Sequence, residues 1–157
     1  MRSVKHILAL TVSLVCMSAC DLLDCTQADV KGLRIEMFNN NGERVVLTDT
    51  LTIKACGKEI VFLNKSVNTD EILLPLSYNA PEDTFVFECY GMDYFLRDTL
   101  YVKKTNNLYF ESPDCPTVMM HTIEDAGCSN VFMDSVIIEN KKVNFEEVVH
   151  LNLYIRG

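Results

Sequence analysis

Beyond position 20 the chain carries five cysteines and two histidines: Cys25, Cys56, Cys89, Cys115, Cys128, His121 and His150. Thiolates and imidazoles ligate metals, attack carbonyls and move protons near neutral pH. The spacing Cys115-x5-His121-x6-Cys128 raises a metal site. It fits no compact zinc pattern, in which ligands come as closely spaced pairs. His121 stands in an alternating run, with Met119 and Ile123 on one face and Val118 and Met120 on the other. That pattern suits a strand histidine with its hydrogen bonds satisfied. No G-x-S-x-G elbow and no S-x-x-K pair occurs. Glu124-Asp125 and Glu146-Glu147 are adjacent, so in a strand they face opposite ways and make no acid/base pair. Asn39-Asn40-Asn41-Gly42-Glu43 lacks the calcium-loop pattern and has the chemistry of a tight turn. The expectation is no catalytic residue, no metal and no cofactor. The competing reading is an enzyme or thiol-dependent factor using His121 or a free cysteine.

Aromatic side chains offer binding chemistry instead. Tyr90, Tyr94 and Tyr101 cluster near one turn and form a candidate stacking surface for a sugar or peptide. Core filling and cross-strand pairing account for them equally.

The elements that must position these groups are strands. Leu33, Ile35 and Met37 alternate with Arg34 and Glu36; Leu51 and Ile53 with Thr52 and Lys54; Leu151, Leu153 and Ile155 with Asn152, Tyr154 and Arg156. Further short runs lie at 60–63, 72–76, 85–88, 95–102, 108–110, 118–123 and 131–138. No window after position 20 holds a clean helical period. Alternating runs divided by turns predict an all-β antiparallel sandwich, immunoglobulin-like, with a barrel as the alternative. Asp49-Thr50-Leu51-Thr52-Ile53-Lys54 recurs as Asp98-Thr99-Leu100-Tyr101-Val102-Lys103. At the same offset Phe38 falls on Phe87, Gly42 on Gly91 and Leu47 on Leu96, which suggests an internal pseudo-repeat. Each Asp-Thr pair reads as a turn former bonding local backbone N–H groups.

Residues 1–20 set the address. Arg2 and Lys5 precede a short apolar run, and Met17-Ser18-Ala19 precede Cys20. This is the order of a secretory signal, too short for a membrane span. The small pair before Cys20 resembles a bacterial lipobox, which implies cleavage there and acylation of Cys20. The expected division is a lipoprotein signal over 1–19, lipidated Cys20 with a tether over 20–31, and one β-sandwich domain over 32–157. Loss of Arg2 and Lys5 would take the 14 basic side chains to 12 against 22 acidic ones, a net of −10. Such a surface repels nucleic acid. In an oxidising compartment the remaining cysteines are disulfide candidates, and an odd number leaves at least one free or paired between chains.

Taken whole, the chain resembles small Bacteroidetes lipoproteins carrying a domain of unknown function. The resemblance runs through Cys25, Leu33-x-Ile35-x-x-Phe38, Ile72-Leu73-Leu74-Pro75-Leu76, Asp98-Thr99-Leu100, Phe110-Glu111-Ser112-Pro113-Asp114-Cys115 and the closing 144–151. It implies a lipid-anchored all-β module, and it implies Cys25 paired with Cys115. Among the cysteines outside that pattern, Cys56 and Cys89 lie at strand ends and are the expected second pair. The functional expectation is a noncatalytic binding or scaffold module of the cell envelope. It would sit at the outer membrane through its lipid, on the periplasmic face or the cell surface. The expected partner is an envelope or extracellular protein or a glycan.

Overall fold

The computed structural model describes Cys25 and residues 32–156. The signal, Cys20 and most of the tether lie outside the described residues. Ten strands form two sheets: β1 (Leu33–Phe38), β2 (Thr50–Ala55), β3 (Val61–Ser66), β4 (Glu71–Leu74), β5 (Glu82–Tyr90), β6 (Phe95–Tyr109), β7 (Val118–Cys128), β8 (Met133–Ile138), β9 (Lys142–Val143) and β10 (Leu151–Ile155). One sheet runs β4-β1-β10-β8 and the other β3-β2-β5-β6-β7-β9. The fold is the expected all-β sandwich. An immunoglobulin domain splits seven to nine strands in a different order, so the strand order here is its own.

The alternation read in the sequence becomes the core. Leu33, Ile35 and Met37 of β1, Leu51 and Ile53 of β2, Phe85, Phe87 and Cys89 of β5, and Leu100 and Val102 of β6 meet Leu151 and Leu153 of β10 between the sheets. Each such side chain contributes roughly 1.5–3 kcal/mol through burial. The Asn39 turn forms as read: Asn39 Oδ1 accepts the Asn41 and Glu43 N–H groups, both at 2.9 Å, and Gly42 takes φ 79°. After one bridge between Phe38 and Arg44 the chain crosses to the other sheet. One pairing is not antiparallel: β1 runs parallel to β10, with Ile35 opposite Leu151.

The pseudo-repeat does not survive as architecture. β5 and β6 are hydrogen-bonded neighbours, whereas β1 and β2 sit in different sheets. Asp49 precedes β2, while Asp98 lies inside β6. The shared pattern reflects two strands with similar burial, not two copies of one unit.

The cysteine expectations divide. Cys25 and Cys115 are bridged, with Cα atoms 5.7 Å apart. Cys56 and Cys89 are both free. The β2–β5 register sets Cys89 opposite Leu51 and Phe85 opposite Ala55. Cys56 therefore lies at the other end of the strand pair, about 17 Å along it, and a disulfide needs Cα atoms within about 7 Å.

Candidate functional site

His121 projects inward from β7, and its surroundings were set by β6 and by the β4–β5 connection. Lys104 on β6 is buried, with 0% of its side chain exposed. Its ammonium donates to the carbonyls of Ser77 at 2.7 Å and Ala80 at 2.6 Å, and to Asn106 Oδ1 at 3.0 Å. It lies 3.3 Å from the Asp83 carboxylate. Asp83 also accepts the Ser77 N–H at 2.9 Å. Asn106 Nδ2 donates to the carbonyls of Tyr78 and Ala80. Its Oδ1 must therefore accept, which assigns a proton to His121 Nδ1 at 2.8 Å. The Tyr78 ring stacks on the imidazole. Burial, and then the Lys104 charge, bring the His121 pKa down to about 4, against the pull of Asp83. The imidazole is neutral and its Nδ1 engaged, so it serves to hold the 75–83 segment onto the sheet.

His150 is tied in the same way. The Arg34 N–H donates to its Nδ1 at 3.0 Å, and its Nε2–H donates to the Lys142 carbonyl at 3.1 Å. It thereby joins β1 of one sheet to β9 of the other. Burial, opposed by the bond to Lys142, lowers its pKa. Asp98, too, is structural. Its Oδ2 accepts the N–H groups of Val131, Phe132 and Met133 at 2.8, 3.0 and 2.9 Å. Its Oδ1 accepts from the Thr99 N–H and the Ser129 hydroxyl. Burial pushes its pKa up, but the bonds from Ser129 and the backbone outweigh that and leave it lowered. Asp98 thus fastens β6 to the start of β8, in the opposite sheet, rather than closing a local turn.

The thiols differ in chemistry. Cys115 is tied to Cys25, and Cys115, His121 and Cys128 form no metal-holding group among the described residues. Burial, and then the Asp49 carboxylate, push the Cys89 thiol up to about 11. Among the described residues three thiols are free, and of these Cys56 alone is exposed. Among the described residues no cluster of three or more His, Cys, Asp or Glu side chains is placed to hold a metal.

Of the three tyrosines, the structure brings two together. Tyr90 and Tyr94 flank the β5–β6 hairpin tip, where the Tyr90 ring lies tilted against Phe95, centroids 4.7 Å apart. The Tyr94 hydroxyl donates to the Asp49 carboxylate, which raises its pKa to about 12. Tyr101 lies six residues beyond Phe95 on β6, about 20 Å away, and covers Gly127.

Sequence reasoning missed an open cavity on one flank. A cavity of about 440 Å³ lies between the β2–β3 turn and the segment after β4. Its apolar walls are Ile60, Phe62, Pro75, Leu76 and Phe85, and its rim carries Cys56, Lys58 and Glu82. Phe62 and Phe85 meet edge to face at 5.6 Å. The volume falls within the range of small-ligand pockets, roughly 300–1,000 Å³. The one sequence signal was the unbroken apolar run Ile60-Val61-Phe62-Leu63, longer than an edge strand requires.

The described residues form a ten-stranded β-sandwich with an open flank. Residues 50–155 match the model of a family of unknown function, DUF6452, and the chain belongs to that family. The match begins at β2, leaving β1 and Cys25 outside it. Neither the curated proteins nor the solved structures include a match to this chain.

Proposed function

We propose that this protein is a noncatalytic binding module of the bacterial cell envelope, held at the outer membrane by acyl chains on Cys20. The observation that carries the reading is a division of labour among side chains. Among the described residues, the buried Lys104, Glu88, His121, His150 and Asp98, with half-buried Asp83, are engaged in joining segments of the fold. What stays open is a cavity with apolar walls and a hairpin tip with half-exposed aromatic rings. The lipobox resemblance supports the anchor, and the acidic balance supports a partner other than nucleic acid.

The test is metabolic labelling with a radioactive fatty acid, joined to protease treatment of intact cells. Label on the wild type and none on Cys20→Ala is the expected result. An unlabelled wild type released into the soluble fraction overturns the anchor. Digestion on intact cells would place the globule on the surface; protection until lysis would place it in the periplasm. A second reading, a glycan at the hairpin tip, is favoured by the exposed Tyr90–Phe95 pair. Binding to a glycan array that is lost in Tyr90→Ala and kept in Tyr101→Ala would support it.

A further inference from the structure

We propose that the end of the sandwich beside the Cys25–Cys115 bridge rests on the membrane. Leu108, Phe110 and Tyr78 there enter the interfacial layer of a zwitterionic bilayer. This rests on the reading of Cys20 as the acylated anchor and adds which end of the globule that anchor presents.

The row of β6 that faces the other sheet runs through Leu100, Val102, Lys104 and Asn106. Leu100 and Val102 are wholly buried, and Lys104 and Asn106 are tied to the 75–83 segment. Leu108 is the next residue of that row and Phe110 the one after, yet they are 72% and 60% exposed. β6 thus carries apolar side chains past the end of the core. Leu108 pairs with Met119 of β7, and Met119 lines a small pocket with Gly32, Tyr78 and His121. Tyr78, stacked on His121, is 65% exposed. Single exposed apolar residues are ordinary on a protein surface. Leucine, phenylalanine and tyrosine at one end make a surface suited to the headgroup boundary, where apolar bodies and a polar tip are both accommodated.

Chain length brings the bilayer to this end. The bridge fastens Cys25 to Cys115, in the loop that follows Phe110. Cys25 stands five positions after Cys20, and that stretch reaches at most about 18 Å. The entry into β1 at Gly32 lies at the same end, beside Met119. The β5–β6 hairpin tip is at the far end of β6, about 45 Å along the strand. The charge pattern selects the lipid. Residues 105–122 hold no lysine or arginine, and Glu111 and Asp114 lie in the β6–β7 loop. Anionic headgroups would be repelled there, whereas zwitterionic ones would not.

The chain contains no tryptophan, so one introduced tryptophan reports its own surroundings. Full-length lipidated protein carrying Phe110→Trp is reconstituted into phosphatidylethanolamine–phosphatidylcholine vesicles with acyl chains brominated near the headgroup. Its emission is expected to be quenched roughly twofold or more against unbrominated vesicles, and that of Leu108→Trp likewise. Met92→Trp, on the hairpin tip and 99% exposed, is expected to stay unquenched. Replacing Cys25 and Cys115 together by serine lengthens the free tether, and is expected to cut the quenching by about half or more. Four results overturn the proposal. Fatty-acid-labelled protein whose Phe110→Trp and Leu108→Trp forms are quenched no more than Met92→Trp would remove the membrane contact and leave the anchor standing. A wild type that takes up no fatty acid would remove the anchor and this contact with it. Stronger quenching in phosphatidylglycerol vesicles would overturn the zwitterionic assignment. A blue-shifted Phe110→Trp emission in soluble Cys20→Ala protein without vesicles would give the surface another cover: a second copy where the shift grows with protein concentration, the chain's own tether where it does not.

Discussion

The Lys104 ammonium lies 3.3 Å from the Asp83 carboxylate, with the lysine wholly buried and the aspartate largely so. This pair pins the cavity's back wall, because the same ammonium holds the Ser77 and Ala80 carbonyls. Removing one partner of a buried pair strands the other charge, at a cost of about 3–5 kcal/mol. Lys104→Met is expected to lower the urea midpoint by an amount corresponding to about 3 kcal/mol. The double variant Lys104→Met with Asp83→Asn is expected to recover part of it, since no charge is then stranded. Equal losses in single and double variants would show that the pair is not the source.

Asp98 accepts three successive backbone N–H groups on one oxygen. Asn at this position would turn an NH₂ group or a weaker, neutral acceptor toward those donors. Charge-assisted bonds are about twice as strong as neutral ones. Asp98→Asn is therefore expected to cost about 2–3 kcal/mol in chemical denaturation. The folded carboxyl is lowered below its usual range. Its contribution is present above the unfolded pKa, near 4, and is lost as pH falls through the folded value. The gap between wild type and Asp98→Asn should close only below about pH 4.

The strands with clean alternation were legible because one face meets the core and the other water. The long β6 was not. Its apolar runs 95–102 and 108–110 read as two strands, because Lys103-Lys104-Thr105-Asn106-Asn107 between them is polar. Lys104 and Asn106 are inward-facing and satisfied by the 75–83 segment, a compensation invisible in hydropathy. The bulge opposite Lys103/Lys104, around Glu124 on β7, also shifts which residues of the two strands face each other. The cavity stayed hidden for a related reason. It forms where residues some 20 apart in sequence, Phe62 and Phe85, meet through two separate strands. The parallel β1–β10 pairing joins the two ends of the domain, and no local pattern encodes it.

The three free thiols should separate by reactivity. Cys56 is exposed, Cys89 is buried with its pKa near 11, and Cys128 is half-buried and raised, chiefly by burial. The thiolate is the reacting form. In native protein at pH 8, a chromogenic disulfide reagent is expected to titrate Cys56 rapidly and leave Cys89 unreacted until denaturant is added. Cys56→Ser should abolish the fast phase. Rapid native reaction at Cys89 would contradict the packing around β5 and revive the thiol-dependent reading.

Two buried neutral histidines should make the fold acid-labile. The His150 Nδ1 accepts the Arg34 N–H, so protonating it sets donor against donor and opens the link between β1 and β9. Arg34 nearby also disfavours the imidazolium. Protonating His121 would add a second cation beside Lys104, with Asp83 alone opposing it. Both pKa values are lowered on folding from near 6.5. Their stabilisation is thus complete above pH 6.5 and is lost as pH falls towards the folded values, about 4 for His121. Between pH 7.5 and 5, urea unfolding is expected to lose on the order of 1–2 kcal/mol through His121, with a further loss through His150. Asn at position 150 retains an acceptor and a donor but does not titrate. His150→Asn should be less stable than wild type at pH 7.5 and show a shallower loss towards pH 5. An unchanged slope in that variant, and in His121→Asn, would assign the acid response to the carboxylates instead.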